Sequence, residues 1–102
     1  MVTINTTFHV EDKVNLDFVA YMKNTYIAEA KTDKLMTDVR MYKIHSQEIP
    51  EGHSYSVQFI FNNLNDLESW DKTKGKKLNE ELLESFQDKI VGFSTLLEEI
   101  EL

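Results

Sequence analysis

Apolar and polar residues alternate most strictly over residues 54–61. Tyr55, Val57, Phe59 and Phe61 share one face there, and Ser54, Ser56 and Gln58 share the other. A strand so apolar on one side belongs in the middle of a sheet, beneath packed helices. Residues 2–10 alternate as well, with Val2, Ile4, Thr6, Phe8 and Val10 set against Thr3, Asn5, Thr7 and His9. Helical spacing takes over at residues 13–31, where Val14, Phe18, Val19, Met22, Tyr26 and Ala30 form a stripe with Tyr21 at its edge. Asp12 is placed to cap that helix. A second strand is predicted over residues 34–46, with Leu35, Val39 and Met41 facing one way and Met36, Arg40, Tyr42 and Ile44 the other. The only proline, Pro50, lies with Gly52 in the loop 47–52, so this strand and the next form an antiparallel hairpin.

Asn65 and Glu68 have capping-box spacing at the start of a second helix. Its buried face is Leu67, Trp70, Leu78, Leu82 and Phe86. A split at Lys74-Gly75 is expected, since glycine costs about 1 kcal/mol inside a helix. The last strand, residues 89–99, sets Val91, Phe93, Thr95 and Leu97 against Gly92, Ser94 and Leu96. The order β-α-β-β-α-β is that of a split βαβ, an α+β ferredoxin-like domain spanning residues 1–102. Right-handed crossovers put both helices on one face of a four-stranded antiparallel sheet, with strands one and three central.

The helix layer is expected to cover Ile4, Phe8, Val39, Met41, Val57, Phe59, Val91 and Phe93. The opposite face then holds Thr3, Asn5, Thr7, His9, Arg40, Tyr42, Ile44, Ser56, Gln58, Ile60, Ser94 and Leu96. Apart from Asp38 and Arg40 it is nearly uncharged, unlike a sheet face in water. The expectation is a homodimer buried through Thr7, His9, Arg40, Tyr42, Gln58, Ile60 and Leu96. Polar uncharged side chains can hydrogen-bond across such a contact, whereas Lys or Glu would have to be desolvated.

Composition narrows the chemistry. A net charge of −7, with 11 Lys plus Arg against 18 Asp plus Glu, does not suit a nucleic-acid binder or an anionic membrane surface. The lysines at 72, 74, 76 and 77 read as a solvated helix break. No run approaches the roughly 18 apolar residues of a membrane span, and residues 1–4 do not begin a signal peptide; a cytoplasmic protein is expected. The absence of cysteine excludes thiol nucleophiles and cysteine-ligated zinc. His9, His45 and His53 have no metal-ligand spacing, and the three glycines make no phosphate loop. The glutamates at 80, 81 and 84 and at 98, 99 and 101 read as solvated charge. No catalytic residue, metal or cofactor is expected.

Three stretches carry a resemblance: Phe18-Val19-Ala20-Tyr21-Met22-Lys23-Asn24-Thr25-Tyr26-Ile27, Tyr55-Ser56-Val57-Gln58-Phe59, and residues 86–98 from Phe86 through Gly92-Phe93-Ser94 to Glu98. Together they resemble a small bacterial family of ferredoxin-like proteins of unknown function, akin to dimeric α/β-barrel proteins. The first stretch departs from that pattern, which has tryptophans at Phe18 and Tyr21, a histidine at Tyr26 and a proline at Ala28. The resemblance implies the fold and dimerisation, and no activity. It also directs attention to the space between helices and sheet, where Tyr21, Met22 and Tyr26 are the candidate ligand-binding residues beside a plainer role as core. The expected function is a non-enzymatic dimeric domain that binds a small apolar or aromatic metabolite or serves as an interaction or regulatory module. The competing reading is a cofactor-independent monooxygenase or haem-handling enzyme of the dimeric barrel kind, which would have no histidine on helix one. RNA binding through the sheet face would need more aromatics than Tyr42 and a basic surface.

Overall fold

A computed structural model describes residues 1–45 and 51–102. Strands β1 (Val2–Val10), β2 (Met36–Ile44), β3 (His53–Phe61) and β4 (Ile90–Glu98) form one sheet in the order β2-β3-β1-β4. All neighbours are antiparallel. Helix α1 covers residues 15–30 and helix α2 residues 64–86, giving the expected β-α-β-β-α-β order. The greater part of the loop 47–52, and the end of the second strand at position 46, lie outside the described residues.

The alternation in β1 and β3 decides which side the helices take. Val2, Phe8 and Val10 of β1 and Tyr55, Val57, Phe59 and Phe61 of β3 are buried together with Phe18, Met22, Tyr26, Leu67, Trp70, Leu78 and Leu82 from the helices. Trp70 packs on Phe59 and Phe61 at 4.9 and 5.6 Å between ring centroids. Phe18 sits among Phe8, Tyr55 and Phe86 at 5.5 to 5.7 Å.

Neither helix is regular throughout. In α1 a π turn at Met22–Tyr26 separates Asn15–Tyr21 from Ile27–Ala30, and in α2 one at Asp71–Gly75 separates Leu64–Trp70 from Lys76–Phe86. The break expected at Lys74-Gly75 is therefore a widened turn within a continuous helix. Gly75 is needed there because a Cβ would come within 2.7 Å of Trp70 Cζ3. The caps also differ from expectation. Asn63, not Asn65, caps α2, accepting from the Asp66 N–H at 2.9 Å. Asp12 caps nothing by its side chain; it pairs with His53 Nε2 at 2.9 Å and lies in a 3-10 turn, Asp12–Val14, that leads into α1.

Two corrections concern which side of the sheet a residue takes. A register shift in β2 between Met36 and Asp38 sets Met36 opposite Phe61, on the helix side. Strict alternation puts it on the other face, but a bulge adds one residue and reverses parity. In β4 the whole strand is reversed. Ile90 pairs with Val10 and is buried, so Ile90, Gly92, Ser94 and Leu96 take the helix side. Val91 and Phe93 lie on the uncovered face, 52% and 66% exposed. Leu96, expected at the dimer face, sits opposite Ile4 on the helix side. A Cβ on Gly92 would stand 3.0 Å from two ring carbons of Phe8, so this register relies on glycine beneath that ring.

Candidate functional site

The uncovered face is a grid of cross-strand rows. Leu97, Thr3, Ile60 and Asp38 form one row; Thr95, Asn5, Gln58 and Arg40 the next; then Phe93, Thr7, Ser56 and Tyr42; then Val91, His9, Ser54 and Ile44. Six of the seven residues expected at a dimer contact, Thr7, His9, Arg40, Tyr42, Gln58 and Ile60, thus share this face. Its polar groups are linked to one another. The Ser56 hydroxyl donates to Asn5 Oδ1, and His9 Nδ1 lies 3.2 Å from Ser54 Oγ. Arg40 Nε donates to Asp38 Oδ2 at 3.0 Å, which holds the Asp38 carboxyl below its usual range, with help from the Val39 N–H. The reversal of β4 adds Val91, Phe93 and Leu97 to the face, so it is more apolar than the sequence pattern implied.

On the other side of the sheet, α2 stops short of β4. Thr6 and Phe8 of β1, Asn79, Leu82 and Leu83 of α2, and Ile90, Gly92 and Ser94 of β4 surround a cavity of about 160 Å³. Phe8, Leu82 and Ile90 are buried and make its apolar floor. Thr6 Oγ1 and Ser94 Oγ, 2.9 Å apart, are bonded across its rim. Asn79 brings a polar group, and the Tyr26 hydroxyl donates to Asn79 Oδ1 at 2.6 Å.

Tyr21, Met22 and Tyr26 are placed as packing residues. Met22 is fully buried and Tyr26 is 3% exposed, its ring stacked on Phe59 at 5.9 Å. Tyr21 meets Phe86 edge-on at 5.5 Å. Of the three, Tyr26 reaches the cavity wall, and it does so through Asn79. Burial pushes the Tyr26 hydroxyl well above its ordinary value, with smaller contributions from Asp71 and Tyr21. It is therefore a proton donor held neutral.

Sequence reasoning passed over Asn79, which looks like one more polar residue on a helix, and over Gly92. The signal available for Gly92 was a small residue across from an aromatic one in adjacent strands. Among the described residues no group of three or more His, Cys, Asp or Glu is arranged to hold a metal ion. No helix of the described residues is long and apolar enough to cross a membrane.

An antiparallel sheet covered on one side by two helices in this order defines a ferredoxin-like fold. Residues 1–100 match the family described as Domain of unknown function (DUF4286), and the chain belongs to that family. No curated protein matches the chain. Solved structures share its fold. An ethyl tert-butyl ether d (ethd) family protein from Bacillus halodurans superposes with a TM-score of 0.71 at 13% identity, covering 98% of this chain and 100% of its own. An antibiotic biosynthesis monooxygenase gives 0.69 at 13% identity, over 99% and 100% of the two chains. A dimeric ferredoxin-like protein from an uncultured marine organism gives 0.67 at 15%, over 99% and 97%. At these identities the likeness is one of fold.

Proposed function

We propose that this chain is a homodimeric binding domain for a molecule about the size of one aromatic ring. The observation that carries this is the cavity beside β4, apolar at its floor and provided with Asn79. A cavity of roughly 150 Å³ lined by apolar side chains accommodates benzene, so the space suits a monocyclic ligand and is too small for a typical drug-sized one. Asn79 Oδ1 is occupied by Tyr26, which leaves the amide Nδ2 as the donor for a ligand's hydroxyl or carbonyl. Tyr21, Met22 and Tyr26 enter this reading as the packed support that fixes Asn79.

The dimer would join two uncovered sheet faces. Four strands of nine residues span about 19 by 30 Å, or roughly 1,100 Å² for both copies before side-chain relief is counted. Stable interfaces begin at about 1,200 Å², so face and flanking loops together supply the area. The dimeric neighbour of like fold supports the same reading.

A second reading is oxygenation of the bound molecule, favoured by the fold shared with the antibiotic biosynthesis monooxygenase. The side chains lining this cavity offer no carboxylate, imidazole or amine to act as a base, and the Tyr26 hydroxyl behind Asn79 is held protonated. Binding without turnover is therefore preferred.

Titration with phenol, followed by amide resonances, tests the site. Shifts are expected at Phe8, Asn79 and Gly92, and they should vanish in Leu83→Trp, where an exposed side chain at the cavity rim is enlarged. A wild-type spectrum unmoved by millimolar phenol would overturn the site, and oxygen consumption during the titration would favour the second reading. Light scattering tests the dimer. Gln58→Glu should weaken it by setting carboxylates on the buried face, and a face contact that tolerates those charges is refuted.

A further inference from the structure

The two outer strands of the sheet are finished differently. β2 carries Asp38, Arg40 and Lys43 and the register shift after Met36. Charges and bulges of this kind keep a sheet edge from pairing. β4 has no such break and little charge: it runs in unbroken register with β1 from Ile90 to Glu98, holds no proline, and has one charge, Glu98, at its end. All of it beyond Ile90 is exposed.

The ladder fixes which backbone groups are free. The Glu11 N–H donates to the Lys89 carbonyl at 3.1 Å and the Glu99 N–H to the Met1 carbonyl at 3.0 Å. Odd-numbered residues of β4 therefore turn their N–H and C=O toward β1. Ile90, Gly92, Ser94, Leu96 and Glu98 turn theirs outward.

We infer that this edge pairs with β4 of a second copy, antiparallel and centred on Ser94. Full overlap of the strand with itself sets Ser94 opposite the partner's Ser94, Gly92 opposite the partner's Leu96, and Ile90 opposite the partner's Glu98. Every one of these is an outward-facing residue, so free donors and acceptors meet as an antiparallel ladder requires. On the uncovered side Val91 falls opposite the partner's Leu97, and Phe93 opposite the partner's Thr95, which are favourable cross-strand pairs. No like charges meet. Each contact occurs twice, as a two-fold axis demands. The partner's Leu96 arrives beside Gly92, on the side where the small cavity opens and where Leu83 is 56% exposed. The second copy thus supplies the missing apolar wall.

This contact uses the edge and helix side of the sheet, so it stands or falls apart from the face-to-face dimer. Ser94→Lys would place two ammonium groups on the axis without touching the uncovered face. Light scattering should show the mass halved, to a monomer if the edge is the only contact and to a dimer if both are made. Gln58→Glu should leave the edge contact intact. Leu96→Pro removes an outward N–H that β1 does not use, and should halve the mass in the same way. Hydrogen exchange on the unaltered protein decides the matter without a variant. The amides of Gly92, Ser94 and Leu96 should exchange slowly, like those of Phe93 and Thr95. Fast exchange at the even positions beside slow exchange at the odd ones, or an unchanged mass in a folded Ser94→Lys protein, would overturn the proposal.

Discussion

β3 and β4 flank β1 on opposite sides, each antiparallel to it over nine residues, and each carries a stripe of large apolar side chains. In β3 the stripe of Tyr55, Val57, Phe59 and Phe61 is buried beneath both helices. In β4 the stripe of Val91, Phe93 and Leu97 points to the side without helices. The difference arises at the ends of the strands and in β1. Ile90, directly after the turn that leaves α2, takes the core position opposite Val10, and two residues later Gly92 leaves room for the Phe8 ring. Once Ile90 faces inward, Val91 and Phe93 have to face outward. Alternation establishes that a strand has two unlike faces, and the residue that meets the core first settles which face is which.

The comparison can be broken most directly by truncating the two phenylalanines. Phe59→Ala should cost about 3–5 kcal/mol in urea unfolding, as for a packed core aromatic. Phe93→Ala in dilute solution should stay within about 0.5 kcal/mol of the parent. A loss at Phe93 that grows with protein concentration would place that residue in an interface between copies. Gly92→Ala probes what holds β4 in register. Its new methyl group would press on Phe8, and a destabilisation of about 1–3 kcal/mol is expected from thermal melts. A neutral result would mean that Phe8 does not fix the strand.

A milder change in the core lies on the β3 side. Tyr26→Phe removes the bond to Asn79 and should cost about 1 kcal/mol at neutral pH. Because the Tyr26 hydroxyl ionises less readily in the folded protein than at its ordinary value of 10.0, its contribution is fully present below that pH. Above it the unfolded chain loses the proton first, so stability falls as pH rises. Alkaline urea titrations of Tyr26→Phe should show a shallower fall; an equal slope would remove Tyr26 as the cause.

The order of elements and the faces of β1 and β3 were legible because their apolar residues keep phase, with Ile60 alone on the other side. β4 was less legible because Ile90 and Leu96 compete with Val91, Phe93 and Leu97 for the inward phase. Only pairing with Val10 and Ile4 decides between them. The bulge near Met36 left no mark, since Thr37 and Asp38 suit a strand and a bulge alike. The cavity was hidden for a different reason. Leu82 and Phe8 each read correctly as core, but a gap beside core residues depends on how far a helix reaches across a sheet and on the phase of β4, which brings Ile90 inward. The widened turns in α1 and α2 likewise add a residue to a helix without disturbing an apolar stripe enough to be seen.

The single tryptophan gives this molecule a built-in spectroscopic division. Trp70 is packed against Phe59 and Phe61, and its indole N–H has no hydrogen-bond partner among the described residues. Such an indole emits toward the blue and shifts red when water reaches it. Its emission therefore follows the loosening of the α2–β3 core and is silent about β4, which lies beyond β1 from it. Fluorescence and far-ultraviolet circular dichroism should trace the same transition if the sheet melts as one unit. An early loss of ellipticity at constant blue emission would be the optical signature of β4 leaving alone.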